Sequence, residues 1–533
     1  NADNNTPQRL DAIQLGQIGS AANGVNITVT AKRSVTGGDG FANVGAITGP
    51  NIDLGTVAIH GDLDFLNAGN GTTSVQGVAA LNVQSLGRFP NPSISFGVTV
   101  FGRLGQLNVG SDLHEDYIDV EAGSNTPASI GSVNIGGSII GDGAQSRAAI
   151  ACAGNIGNII IGGNLQGDGD NGSGGITSGG NIGNVIIGGS LKGGAGDGSA
   201  IVSSHGTMGN VTIGGSIIGN RIASADITAG SIGNVVVGGS VIGGPNVQSA
   251  QIFSRGSIKK LTISGSLTGG PGDDSGQIGA EASIGTIFIG GSITGNTGLK
   301  SGSIQAAAMS DITVRGSLVG GSDSGSGSVI SQGSIGNVNV GGSLSGGDGN
   351  GSATIQAGDS IKNVSIGHSL IGSNGDGSAS ITAEHALGNV SIGGSITGDR
   401  IASADISADS IGNIFIGGSV TGGPNVQSAQ IFSRGSIKNI TIDGSLTGGP
   451  GDDSGQIGAE TSIGTIIIGG SIAGGDGEDS GEIKAVALGD ITIRGSLTGG
   501  TFLDSGVILA STKIGNINIH GDFNGGPAVD SGF

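Results

Sequence analysis

Aromatic and sulfur-bearing side chains are almost missing from this chain. Its 533 residues include no Trp, one Tyr (Tyr117), one Cys (Cys152) and two Met. A single Cys excludes a disulfide within the chain, and its setting in Ala151-Cys152-Ala153 reads as a small buried side chain. The lack of Trp leaves little for holding sugars by ring stacking. Positive charge is also scarce, with 20 Lys and Arg against 40 Asp and Glu and a net charge of −20. Nucleic acid wants a basic stripe, so it is not an expected partner. The acidic balance suits a soluble, self-repelling surface protein. No apolar run is long enough to span a bilayer, so no membrane insertion is expected. No signal peptide is visible, and the chain opens on Asn1-Ala2-Asp3-Asn4 rather than Met. This reads as a mature form, extracellular or on the cell surface, with its signal peptide removed.

Glycine is abundant, at 117 residues spread evenly along the chain. Each interior Gly costs a helix roughly 1 kcal/mol against Ala, so helices are excluded. The glycines belong to a phrase, Ile-Gly-Asn-Val-x-Ile-Gly-Gly-Ser-Leu, written sixteen times from Ile130 to Ile514 at intervals of 24, 25 or 26 residues. The fourth position (Val133, Ile159, Val185 and on to Ile517), the sixth (Ile135, Ile161 and on to Ile519) and the tenth (Ile139, Leu165 and on to Phe523) stay apolar throughout. Val-x-Ile is a strand showing one face to a core, and the Gly-Gly after it turns the chain. Another Ile or Val, such as Ile176, Ile252, Ile278, Ile355 or Ile457, precedes the next phrase by five or six residues. Each repeat therefore offers about three short strands and cannot bury its apolar side alone. The expected fold is all-β, a parallel β-solenoid of about 26 residues per coil and about 19 coils. The commoner right hand is the default, and the sequence does not fix it. At about 4.8 Å per coil the whole would be one continuous rod of roughly 90 Å.

Smaller features fit stacking. The phrase's third position is Asn in ten of the sixteen copies, and Asn side chains form ladders between stacked strands. The ninth is Ser in fourteen, read as a small inward hydroxyl at a corner. The expected organisation is an irregular segment over 1–53, looser first coils over 54–129 and a regular solenoid over 130–533. A seven-coil super-repeat of 179 residues overlies the last part, and Gly243 to Lys259 is identical to Gly422 to Lys438. Duplication accounts for the identity. The sharper reading makes Phe253, Arg255, Phe432 and Arg434 spaced lateral contacts. The phrase's fifth position, which should face outward, holds Ile160, Ile186, Phe288 and Phe415, and Phe288 and Phe415 join the lateral set.

The ends suggest assembly. The last coil starts at Ile514 and the chain stops at Phe533 without a helical or charged cap. An open solenoid edge invites strand pairing. The hypothesis is head-to-tail self-association, with residues of 1–53 adding strands to the coil edge at 514–533 of a neighbour. The interface would draw on Val25, Ile27, Val29, His60, Asp62, Ile517, Ile519, His520, Asp522, Phe523 and Phe533. The alternative is that 1–53 folds over its own first coil.

Three loops, Gly269 to Asp274, Gly448 to Asp453 and Gly474 to Asp479, fit Gly-Gly-x-Gly-x-Asp. That pattern resembles the opening of the calcium-binding nonapeptide of RTX β-rolls, though the spacing here is about 26 rather than nine. It implies Ca²⁺ at Asp273, Asp274, Asp452, Asp453, Asp476 and Asp479 as the one candidate ligand. No cofactor is required, and solvated turns are the other reading. Catalysis finds little support. The six His (His60, His114, His205, His368, His385 and His520) are scattered. The repeat is unbroken from residue 130, and only Arg88, Arg103, His114, Glu115, Asp116 and Tyr117 offer a mixed cluster.

The long Ser-Ile-Gly-Asn-Val-x-Ile-Gly-Gly-Ser-Leu array over residues 54–533 resembles bacterial extracellular β-solenoid repeat proteins: adhesin stalks, autotransporter passengers and giant repeat-rich surface proteins of planctomycete-like bacteria. The resemblance implies a structural or adhesive role outside the cell, without catalysis. Partners would be the chain itself or other surface and matrix components. A filament subunit is the first reading and a monomeric adhesin stalk or spacer with a binding tip in 1–130 the second. A polysaccharide-acting β-helix enzyme is the third.

Overall fold

A computed structural model describes residues 9–33, 40–72, 76–88, 97–114, 116–141, 148–528 and 530–532. The chain divides into two compact units, Asn1–Lys259 and Lys260–Phe533. Each is a parallel β-solenoid, and together they hold about 18 turns of about 26 residues. Among the described residues the one helix is a single 3-10 turn, Gly19–Ala22.

One coil of the second unit shows how the phrase becomes structure. Ser410–Ile416 forms the long strand, Val420–Thr421 the short one and Ile431–Ser433 the third. Each pairs with its counterpart one coil on: Ile414 with Ile440, Ile416 with Ile442, Val420 with Leu446 and Ile431 with Ile457. Columns of aliphatic side chains follow, and the fourth, sixth and tenth positions are buried from Val133 to Leu497. Alternation along each strand sends the intervening residue outward, as in Val185–Ile187, where only Ile186 is exposed. Gly162 shows why the turn needs glycine: a Cβ there would lie 2.2 Å from the carbonyl oxygen of Gly136 in the preceding coil.

Polar ladders close the corners. Asn184 Oδ1 accepts the backbone N–H of Asn210 at 2.9 Å, and Asn389 Oδ1 does the same for Asn413 at 3.0 Å. The ninth-position Ser is not inward as the sequence suggested. It is half-buried at the turn, and its Oγ accepts the next coil's ninth-position N–H, as Ser190 does from Ser216 at 3.1 Å. A different serine is the inward one. Ser173, Ser199, Ser224 and their counterparts as far as Ser505 are fully buried in the loop after the short strand. Left-handed backbone flanks them, at Ala402 (φ 51) and Ala404 (φ 57) around Ser403, for example.

Residues 9–53, expected to be irregular, already contain stacked strands. Arg9–Gln14 pairs with Asn43–Pro50, setting Leu10 beside Val44. Val25–Val29 pairs with Leu54–Gly69, setting Ile27 beside Val57 and Val29 beside Ile59. Val57 and Ile59 lead on through Leu81 and Val83 to Leu107 and Val109, which pair with Val133 and Ile135. Ile27 and Val29 therefore stand at the fourth and sixth phrase positions. Stacking begins in this segment on its own chain, before Leu54.

Candidate binding groove

In many coils the third strand is three residues long, as in Val329–Ser331, Ile355–Ala357, Ile381–Ala383, Ile406–Ala408 and Ile431–Ser433, with its first and last side chains inward and its middle one outward. In the second unit these middle residues line up as Ile330, Gln356, Thr382, Ser407 and Phe432, each beside the next in register. Two small hydroxyl residues thus lie between a long amide and an aromatic ring, which leaves a trough. Phe432 walls one end, held over Gly458, where an added Cβ would sit 3.0 Å from its Cδ2. Arg434 forms the side: its Nε donates to Asp409 Oδ1, and its Nη2 donates at 2.8 Å to the carbonyl of Glu384, two coils back. Thr382, Ser407, Phe432, Arg434 and Glu384 line a cavity of about 380 Å³. A second cavity of about 380 Å³ shares Gln356, Thr382 and Ser407 and runs on towards Lys300.

The first unit has the same site 179 residues earlier. Ser203, Thr228 and Phe253 are the middle residues, in register. With His205 and Arg255 they line a cavity of about 180 Å³. Thr228 Oγ1 donates to Ser203 Oγ at 3.0 Å. Phe253, Arg255, Phe432 and Arg434, read from sequence as lateral contacts, are therefore groove walls. Of the other two, Phe288 is half-buried with the Arg315 guanidinium 5.1 Å from its ring centroid, and Phe415 is exposed.

The loop acids are occupied in building corners. Asp273 Oδ1 accepts the N–H of Leu299 at 2.9 Å, and Asp452 Oδ1 that of Glu478 at 3.0 Å. Asp274, Asp453 and Asp479 sit in left-handed backbone (φ 51, 53 and 53). Asp274 and Asp453 accept from Gln277 and Gln456, and Asp479 from Lys484. Asp476 accepts from the Thr501 hydroxyl. Among the described residues no group of three or more His, Cys, Asp or Glu is placed to hold a metal ion.

The assembly residues separate into two sets. Val25, Ile517 and Phe523 are exposed, and Ile27, Val29 and Ile519 are half-buried. His520 lies 3.0 Å from Asn518 Nδ2, and the Asp522 N–H donates to Ser496 Oγ. Asp62 is a correction: it is buried in the second coil, where its Oδ1 accepts from Ser85 Oγ and the Arg88 N–H, so it lines no open edge. His60, on the same strand, tilts against Phe41 at 5.2 Å between ring centroids. Phe533 and Glu115 lie outside the described residues.

The described members of the mixed cluster differ in burial. Arg103 is exposed, Tyr117 half-buried and Asp116 fully buried. A cavity in this part of the chain is lined by Thr28, His60, Asn82, Asn108 and Asn134, and takes in none of them. Ser334, Asp359 and His385 meet on the surface, but Ser334 Oγ donates to Asp359 Oδ2, and His385 Nδ1 is 3.3 Å from Asp359 Oδ1. The carboxylate stands between hydroxyl and imidazole, so the imidazole is not placed to take the serine proton. The Ser334 hydroxyl foremost holds Asp359 below the usual carboxylate range.

No helix among the described residues is long and apolar enough to cross a membrane. No family model, curated protein or solved structure matches this chain.

Proposed function

We propose that the chain is a structural subunit of an extracellular filament or matrix, extended head to tail by the coil-on-coil pairing that builds each unit. One observation carries the reading. In each unit successive coils repeat the same apolar columns in one parallel register, as from Val133 to Ile159 and from Ile414 to Ile440, so each coil edge is a template for another. A coil laid on either edge would bury apolar side chains at about 25 cal/mol per Å² and satisfy a row of backbone donors and acceptors. The acidic surface supports the reading by opposing lateral clumping while leaving the edges free to pair. An unbroken ladder and scattered His residues favour a structural role over catalysis.

Electron microscopy of the intact chain and of a variant carrying both Ile27→Lys and Ile517→Lys tests the proposal. Fibres from the first and single particles from the second are expected. Single particles from both, at every concentration, favour the stalk or spacer.

A further inference from the structure

Among the described residues, a concavity of the same lining recurs in both units. All seven residues lining the first have counterparts 179 positions on: Ser203 and Thr382, Ser204 and Ala383, His205 and Glu384, Thr228 and Ser407, Ala229 and Ala408, Phe253 and Phe432, Arg255 and Arg434. The ring and guanidinium lie in the identical stretches, whereas the two floor residues lie outside them and exchange Ser for Thr but stay hydroxyls. Packing alone does not ask for this, because the middle residue of the third strand points outward and in other coils is Ile330, Gln356 or Lys484.

We infer that each groove binds a neutral polysaccharide, with one sugar ring against Phe432 or Phe253 and its hydroxyls on the Thr382–Ser407 or Ser203–Thr228 floor. The ring offers a flat apolar face to the C–H side of a sugar, and the floor offers donors and acceptors at the coil spacing. In the second unit charge selects against acidic chains: Arg434 is already engaged by Asp409 and the Glu384 carbonyl, and Glu384 itself lines the cavity. The first unit's groove has His205 at the Glu384 position and carries no such selection. In the second unit the trough continues from Phe432 to Ile330 over four coil steps, roughly 19 Å, so an extended chain fits better than a single sugar. The first unit's groove is shorter and would hold fewer sugar rings.

Titration calorimetry of the full chain against neutral tetrasaccharides (β-1,4-glucan, β-1,3-glucan, β-1,4-mannan and α-1,4-glucan) and one uronic-acid tetrasaccharide tests the inference. At least one neutral tetrasaccharide should bind at about two per chain, and the acidic one should leave the second unit's groove empty. Phe432→Ala should remove one site and weaken residual binding there about tenfold or more, and adding Phe253→Ala should remove the other. Thr382→Phe, which fills the trough and keeps Phe432, should abolish the same site and so separates binding from folding. Phe432→Tyr should retain it. No heat from any neutral tetrasaccharide at about 10 mM would overturn the inference, as would binding that survives both Ala substitutions or favours the acidic ligand. Fibre formation by the Ala variants should be unchanged, so the groove and the assembly reading fail separately.

Discussion

Gln456 Nε2 donates a hydrogen bond of 2.9 Å to Oε2 of Glu482, one coil further on, inside the wall of the second unit. Gln430 Nε2 in turn donates to Gln456 Oε1 at 2.7 Å, and the Gln430 N–H reaches Asp405 Oδ1 at 2.9 Å. Glu482 is 0% exposed and its Oε1 has no partner. Burial, reinforced by Asp479 and weakly by Asp504, pushes its carboxyl from 4.5 up to about 8, against the opposing pull of Lys484 and Gln456.

A pH dependence of stability follows. Between about pH 4.5 and 8 the folded chain holds a proton on Glu482 that the unfolded chain releases. Stability contributed below 4.5 is therefore lost as pH rises through that window, by up to about 1.4 kcal/mol per pH unit, and the loss levels off above 8. Burial raises Asp226 and Asp405 in the same direction. Urea midpoints across this range should fall with pH, and Glu482→Gln should flatten the slope without removing it. An unchanged slope in that variant would contradict the assignment.

The buried serine column is a stability element. Ser403 Oγ accepts the N–H groups of Asp399 and Arg400, each at 2.9 Å, and donates to the Arg400 carbonyl at 2.9 Å. Ser403→Ala takes the acceptor from two part-buried backbone donors and should cost about 1 kcal/mol. Ser395→Ala, at the half-buried ninth position, should cost less. Chemical denaturation of the two variants compares them.

Ala404 sits fully buried at φ 57, a backbone state that disfavours a branched Cβ. Ala404→Val should destabilise by more than about 2 kcal/mol, from strain and overpacking together. Ala404→Gly should be close to neutral, because relief of strain offsets the added freedom of the unfolded chain. Thermal melts distinguish the two.

The loop carboxylates make a prediction about calcium. If Asp273 serves the Leu299 amide, Asp273→Asn should keep the melting temperature with or without millimolar Ca²⁺, since Asn171 already plays that role for Asp197 at 2.9 Å. Asp273→Ala should lower it. A calcium-dependent melting temperature that Asp273→Asn abolishes would make the residue a metal ligand instead.

The apolar columns were legible because their spacing is fixed by the pleat and the coil length, which leave Val185, Ile187 and Leu191 no freedom to be polar. The first coil was not, because residues 9–29 lack the Gly-Gly punctuation even though Val25, Ile27 and Val29 keep the strand spacing. The buried serines were hidden by the abundance of Ser and by neighbours that alternate between Ala and Gly. The groove was half legible. The Phe-Ser-Arg pair of copies stood out, but only the register of Thr382, Ser407 and Phe432 shows that the ring faces a trough. Asp62 misled because its variant phrase resembles that of Asp522, yet one carboxylate is buried and the other exposed.

Disulfide trapping tests the assembly most directly. Thr28 and Asn518 both occupy the outward fifth position. If the first coil of one copy lies on the last coil of another in the same register, Thr28→Cys and Asn518→Cys would meet at about 4.8 Å between Cα atoms, within disulfide range. Cys152 is buried and should stay out of the reaction. Mild oxidation of the double variant should give a ladder of reducible multimers, while the off-register pair Thr28→Cys and Thr501→Cys should not. Absence of the ladder, or an equal ladder from both pairs, would contradict head-to-tail stacking.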